Sequence, residues 1–221
     1  MDKIRVILFL FFVSIVSGCF TAEESSGRIE DLPAEEQKEM KERVERLYHV
    51  AQSGDTNMVK ELLAQGVLVN TPCEYDKTAL HVAAENNHPE ICRLLLDAGA
   101  LARPTKTGKK QHLNPPLMDQ DGMTPADYGV FHVEVLKVFL DAGVPLESRG
   151  YMGLTLLQVA VAYDCVDSAR LLIDRGANIH VKTPAMPPFG SDHGQNLLDL
   201  AESPEMQEML KKAGVKESKK K

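Results

Sequence analysis

The chain has 221 residues, 43% of them hydrophobic and 26% charged, which is enough apolar content for a sizeable core and too much for a disordered tail. Aromatic residues make up only 5%, with seven Phe, five Tyr and no Trp, so a core must be built from Leu, Ala, Val and Ile, which favours stacked helices over a β-sandwich. A formal charge of −7 argues against nucleic acid as a partner, because phosphate recognition needs an excess of Lys and Arg.

The chain opens with Lys3 and Arg5 and then runs ILFLFFVSIV from Ile7 to Val16. This run is too short for a membrane span, which needs about 20 apolar residues, and has the length of a signal-peptide core. The following Val16-Ser17-Gly18-Cys19 resembles a bacterial lipobox, in which small residues precede a Cys that is lipidated and becomes the new N-terminus. A general signal peptidase could also accept Val16 and Gly18 around a cut, leaving a secreted or retained-anchor form. Residues 1–18 are therefore expected to be a signal peptide and Cys19 the lipidation site. Residues 19–38 are polar and acidic with no helical period up to Pro33, and are expected to be a flexible tether.

From residue 39 onward, Leu-rich helical patterns ending in Gly recur. The glycines are Gly66, Gly99, Gly143, Gly176 and Gly214, at spacings of 33, 44, 33 and 38. Each follows a segment such as LLLDAG or LLIDRG, where a left-handed C-cap is wanted. The unit openings are TALHVAA from Thr78, TPADYGV from Thr124, TLLQVAV from Thr155 and NLLDLAE from Asn196, each led by an N-capping residue and followed by small residues. Four openings in phase with five glycines resemble the ankyrin-repeat family over residues 39–215, with its 33-residue period and its T-P-L-H-x-A opening. The resemblance implies an all-α solenoid of about five stacked helix pairs with two enlarged hairpin loops. The first pair, around Arg43 to Leu63, is charged as a cap should be, and the last is trimmed. The third unit departs most: Ala126-Asp127 stands where Leu-His is usual, and Thr124 lies 19 residues before its glycine instead of 21, so a distorted inner helix is expected.

The enlarged loops, Arg103 to Gly122 and Lys182 to Gln195, are rich in Pro, Gly and polar residues. Charge is uneven. Residues 1–18 carry +1, which leaves −8 on the rest; residues 19–46 carry −4, Leu101 to Met118 carries +4, the segment from Lys211 carries +5, and the remaining repeat surface holds −13. An acidic solvated surface accounts for this, as does a basic partner steered onto the stack. Residues 216–221 are a basic tail expected to be disordered.

No G-x-S-x-G, Gly-rich phosphate loop, H-E-x-x-H or C-x-x-C motif is present, and no catalytic residue is expected. Adjacent Ser191-Asp192-His193 is not a triad, which needs side chains converging from separate segments. His81 belongs to the TALH opening, and the resemblance implies a hydrogen bond within the stack. His112 and His193 lie in the two enlarged loops without a third ligand at a convincing spacing, so neither a metal nor a cofactor is expected. Cys92 reads as a small core side chain, and Cys73 and Cys165 lie two units apart, too far for a bridge.

The family resemblance implies a concave binding face made of hairpin tips and the exposed ends of the inner helices. Transferred unit by unit, the candidates are Glu74, Tyr75, Lys77, Glu85 and Asn86 in the second unit, Gln120, Met123 and Phe131 in the third, and Arg149, Tyr151, Met152, Ala162 and Tyr163 in the fourth. Tyr and Arg are common anchors at such surfaces. The expectation is a non-enzymatic interaction protein, monomeric until bound, lipid-anchored in the bacterial cell envelope on the periplasmic side, the outer membrane being favoured. Exported bacterial ankyrin proteins of this kind include immunity proteins that neutralise periplasm-acting toxins such as secreted lipases, so the partner is expected to be a toxin or an envelope enzyme. A scaffold or stress-protection factor for an envelope enzyme is the alternative, and a metal or redox protein a third reading.

Overall fold

A computed structural model of the chain describes residues 29–102, 118–184 and 194–217. The leader, Cys19, the metal candidates His112 and His193, the Ser191-Asp192-His193 cluster and residues 218–221 lie outside the described residues. Among the described residues there are helices and no strands. Five helix pairs follow one another: α1 Ala34–Ser53 with α2 Thr56–Ala64, α3 Ala79–Glu85 with α4 Pro89–Asp97, α5 Pro125–Gly129 with α6 Val133–Asp141, α7 Leu156–Ala162 with α8 Val166–Asp174, and α9 Leu197–Leu200 with α10 Pro204–Lys212. Odd-numbered helices pack on odd-numbered ones along the chain to form an inner layer, and the even-numbered helices form an outer layer. No helix among the described residues is long and apolar enough to cross a membrane.

The core is continuous through the stack and is built as the composition demands. Leu47, Leu62, Leu80, Ile91, Leu95, Leu136, Leu156, Leu157, Leu172 and Leu197 are fully buried, with Phe139 the one large ring among the fully buried side chains. Each such residue contributes roughly 1.5–3 kcal/mol by leaving water. Ala79, Ala83, Ala84, Ala126 and Ala160 let the inner helices lie close together. All five repeat glycines have φ between +73° and +96°, the left-handed conformation in which a side chain is strained. Cys92 is completely buried, as its place on the outer helix suggested.

The first helix begins at Ala34, inside the stretch expected to be tether, and Ile29 just before it is buried against the core. The buried side chains of α1 are Val44, Leu47, Tyr48 and Ala51, all in its second half, so the first half shows no apolar period in sequence. That half is sustained by good helix formers, by the Lys38–Glu42 and Arg43–Glu39 pairs, and by Gln37 Nε2 donating to the Leu32 carbonyl at 2.8 Å.

The third unit is distorted where its short spacing required. α5 has five residues where α3 and α7 have seven. Units one, two and four turn from inner to outer helix through a left-handed residue, Gly54, Asn87 or Asp164; the third unit makes the same turn without one. The outer helix compensates by pushing Phe139 against Gly129: a Cβ on Gly129 would lie 2.6 Å from the Phe139 ring. Because that ring is fully buried it has nowhere to move, and Gly129→Ala is expected to cost about 1–3 kcal/mol. A lowered urea midpoint, partly restored by a second change Phe139→Leu, checks this; a midpoint equal to wild type would refute the tight packing.

Candidate protein-binding surface

Each inner helix after the first is oriented by one local device. The N-cap residue exchanges hydrogen bonds with the side chain three positions on, satisfying the free donors of the helix start. In the second unit the Thr78 N–H donates to His81 Nδ1 at 3.0 Å, which leaves the proton on Nε2, and Nε2 donates to the Met123 carbonyl at 3.2 Å. The His of TALH therefore ties one unit to the next. In the third unit Asp127 Oδ2 accepts from the Thr124 N–H and hydroxyl at 2.9 and 2.7 Å and from the Tyr151 N–H at 3.1 Å, so the unusual Asp also bridges to the following unit. Gln158 Oε1 accepts the Thr155 N–H at 3.0 Å, and Asn196 and Asp199 complete the same pairing in the last unit. These bonds set the hairpin tips and inner-helix ends in register.

At the tips, Glu74–Asp76 and Tyr151–Gly153 form single 3-10 turns in which Tyr75, Asp76 and Met152 have positive φ. The left-handed backbone presents Tyr75 at 63% exposure and Met152 at 45%. At the inner-helix ends, Phe131 and Tyr163 are 40% and 45% exposed. Among the described residues these four are the exposed large hydrophobic side chains, and all were candidates from sequence. Three aromatics cluster: Phe131 meets Tyr163 edge-on at 5.2 Å between centroids, and Tyr151, half-buried, lies 6.3 Å from Tyr163. The hydrogen bond with Tyr151, followed by burial, pushes the Tyr163 phenol up to about 12. Ala162 is half-buried, and Arg149 braces the tip by donating from Nη1 to the Gly153 carbonyl at 2.7 Å.

Two candidates are corrected. Met123 is buried at 8%, not presented to a partner, because the residue before each N-cap turns into the stack, as Leu154 does in the next unit. Lys77 occupies the same position; its ammonium lies 2.7 Å from Glu85 Oε2 and 4.7 Å from the centre of the Tyr128 ring, so it is committed internally. Asn86 is exposed but spends its amide on the Val82 carbonyl at 2.8 Å. Gln120 and Glu74 are exposed as expected, and the Gln120 N–H donates to the Tyr75 carbonyl at 3.1 Å, joining adjacent tips.

Sequence reasoning missed Tyr128 and Asp119. Asp119 is buried, accepts the Tyr128 hydroxyl at 2.6 Å, and receives the Asp121 and Met123 N–H groups at 3.0 Å. Burial, then the bond to Asp119, pushes the Tyr128 phenol far up. The Asp-x-Asp-Gly spelling of the tip was the available signal, a turn with Asp first and Gly fourth. Burial pushes Cys73 up to about 11 and Cys92 to about 12, with carboxylates of Glu45 and Glu74 adding to the former. Among the described residues Cys73, Cys92 and Cys165 are free thiols, and no group of three or more His, Cys, Asp or Glu converges to hold a metal.

A family model of ankyrin repeats in three copies matches residues 30–107, and a single ankyrin-repeat model matches residues 152–184, together half of the chain. The chain belongs to the ankyrin-repeat family. The unmatched stretch between the two contains the third ankyrin unit, whose inner helix is two residues shorter than those of the second and fourth. Among curated proteins, human B-cell lymphoma 3 protein is 36% identical over 109 residues, 47% of this chain and 21% of that protein. The Arabidopsis thaliana potassium channel AKT2/3 is 30% identical over 132 residues, 59% of this chain and 15% of that protein. An L-asparaginase of Dirofilaria immitis is 29% identical over 132 residues, covering 60% and 20% respectively. This chain thus spans about a fifth or less of the length of these relatives. Ankyrin repeats mediate protein–protein interaction, and the relatives share the repeats beneath unlike names.

The raised thiols make a pH test. A group whose pKa is raised on folding holds its proton, so at pH 8 the native Cys73 thiolate should be about 100-fold rarer than in the unfolded chain, two pK units being a factor of about 100. Iodoacetamide labelling read by peptide mass should be slow for Cys73 and Cys92 in native protein, fast in urea, and should accelerate for Cys73 as pH rises towards 11. Fast native labelling of Cys92 at pH 8 would contradict its burial.

Proposed function

We propose that this ankyrin-repeat protein is a non-enzymatic binding protein that grips a protein partner on its concave face. The observation that carries the reading is the Phe131–Tyr163–Tyr151 cluster with Met152 beside it, exposed on a rigid stack. Aromatic side chains held in place lose little entropy on contact and supply large apolar area with a polar tip, as binding hot spots do. Tyr151 packs partly against the core, while Phe131, Tyr163 and Met152 are exposed.

In its more specific form the proposal places the protein in the bacterial envelope, held through lipid on Cys19 on the periplasmic side, as an inhibitor of a periplasm-acting toxin such as a secreted lipase. The support is the basic and apolar run followed by Val16-Ser17-Gly18-Cys19, and the economy of a tethered inhibitor, which needs only a blocking surface and high local concentration. Several acyl chains on one Cys would hold the protein firmly, at about 0.8 kcal/mol per buried CH₂.

Purification of the tagged protein from its membrane should recover a protein partner that the combined variant Phe131→Ala, Tyr163→Ala binds at least about tenfold more weakly, since each hot-spot side chain carries about 2 kcal/mol or more. Melting temperature should be nearly unchanged in that variant. Equal binding by the variant would dismiss the concave-face reading. Loss of the partner's activity in the complex supports inhibition, whereas a fully active complex selects the scaffold role. Cys19→Ser should release the protein from membranes; persistent membrane association would dismiss the lipid anchor.

A further inference from the structure

The concave face has two chemically distinct halves. Its aromatic half lies at the third and fourth units. Its other half, at the tips of the second and third units, carries the exposed residues Glu74, Tyr75, Asp76 and Asp121, the two tips being joined by the Gln120 N–H donating to the Tyr75 carbonyl. Lys77, next to Asp76 in the chain, is 12% exposed at its side chain and tied to Glu85. Among the described residues no cation is placed against Glu74, Asp76 or Asp121. Glu45 belongs to the same field, since its charge and that of Glu74 both act on Cys73, and Glu74 and Glu85 both act on Tyr48.

The molecule already contains one filled example of this chemistry. The Lys77 ammonium sits between a carboxylate, Glu85, and the face of a phenol ring, Tyr128. A ring with flanking carboxylates recurs at Glu74-Tyr75-Asp76, and there it faces solvent with no cation supplied by the described residues. An unpaired acidic rim beside an exposed apolar cluster is complementary to a segment that is basic at one end and apolar at the other. Outside the basic loop and the basic end, residues 47–100 and 119–210 together carry −13, a field that would steer such a segment inward.

We propose that the partner engages the concave face through a segment in which one or more Lys or Arg side chains dock against Glu74, Tyr75 and Asp121 while a neighbouring apolar or aromatic side chain packs on Phe131 and Tyr163. This rests on the concave-face binding reading and specifies the chemistry that the face selects. Basic side chains lose affinity with salt, and apolar ones do not, so the two halves contribute separably.

A phage-displayed library of random peptides panned on the purified protein reads this selection directly. Enrichment of peptides combining Lys or Arg with an aromatic or large aliphatic residue is expected. Their affinity should fall at least tenfold for Glu74→Lys with Asp121→Lys, fall at least tenfold for Phe131→Ala with Tyr163→Ala, and weaken between 50 and 500 mM NaCl. Enriched peptides that depend on Phe131 and Tyr163 but lack basic residues, or ignore the charge reversals, would overturn the chemistry and leave the binding face intact. Failure to enrich anything over an unrelated protein, or indifference to both variant pairs, would overturn the chemistry and the binding-face reading together. Light scattering that shows a dimer dissolved by Phe131→Ala would assign the face to a second copy. Binding that emerges only after Lys106, Lys109 and Lys110 are changed to Gln would assign it to the chain's own basic loop. Either result overturns the proposal.

Discussion

No inner helix after the first is long enough to stand alone. Those of the second to fifth units have four to seven residues, while isolated helices below about 12–15 residues are marginal in water. Everything therefore depends on the link between the N-cap and the side chain three positions on, which closes each helix start, and in two units also reaches the next unit. His81 does this by donating to the Met123 carbonyl and Asp127 by accepting the Tyr151 N–H. A cap contributes about 1 kcal/mol to its own helix, but the bridging bonds also fix the spacing between units, on which the shared core depends. Other polar links repeat the theme on the turn side: His88 bonds the Gln52 carbonyl, His132 the Glu85 carbonyl, and the Ser168 hydroxyl the Val130 carbonyl at 2.6 Å.

The exchange of His for Asp in the third unit is where this scheme was adapted. A His can accept at one nitrogen and donate at the other, so it couples an N-cap to a carbonyl; an ionised Asp only accepts, so it must couple to an N–H. The partner of the link changes accordingly, from the carbonyl before an N-cap to the amide of a hairpin tip. The tip that Asp127 holds is the one bearing Tyr151 and Met152. Gln158 in the fourth unit again accepts from its N-cap, but its amide Nε2 is buried without a partner among the described residues, and the side-chain link to the fifth unit is made instead on the turn side, where the Ser203 hydroxyl donates to the Asp164 carboxylate. The capping chemistry is thus tied to the shape of the binding face, and the short inner helix of the same unit, with Phe139 against Gly129, is the packing counterpart of that adaptation.

What could be read from the residues alone followed the range of the forces involved. Glycine at a helix end and Thr or Asn at a helix start act within one turn, so Gly66, Gly99, Gly143, Gly176 and Gly214, and Thr78, Thr124, Thr155 and Asn196, marked the units correctly. The shortened spacing around Thr124 was legible for the same reason. The start of α1 was not, because its first half is held by propensity and charge pairs and leaves no apolar period. The buried Met123 and the committed Lys77 were misplaced because contacts beyond the local turn decide which way a residue beside a tip faces: Lys77 is held by Glu85 at the far end of its own inner helix and by the Tyr128 ring of the next unit, and the Met123 carbonyl is tied to His81 of the preceding unit. Exposed rings were easier to anticipate, since a stack cored by Leu and Ala has few places to hide them.

The backbone at the tips gives an independent reason to connect those rings with binding. At the turns between inner and outer helices, the left-handed positions are filled by Gly54, Asn87 and Asp164, residue types that tolerate positive φ. At two hairpin tips the left-handed positions carry Tyr75 and Met152, bulky side chains for which that conformation is strained by about 1–2 kcal/mol each. Gly153, adjacent to Met152, shows that glycine is used at the same tip. A chain selected for stability alone would relieve both sites with Gly or Asn. Their side chains are largely exposed, so packing does not repay the strain. Under the proposed binding role, contact with a partner is the gain that offsets this strain, and it is at these two tips that the left-handed backbone carries exposed large side chains.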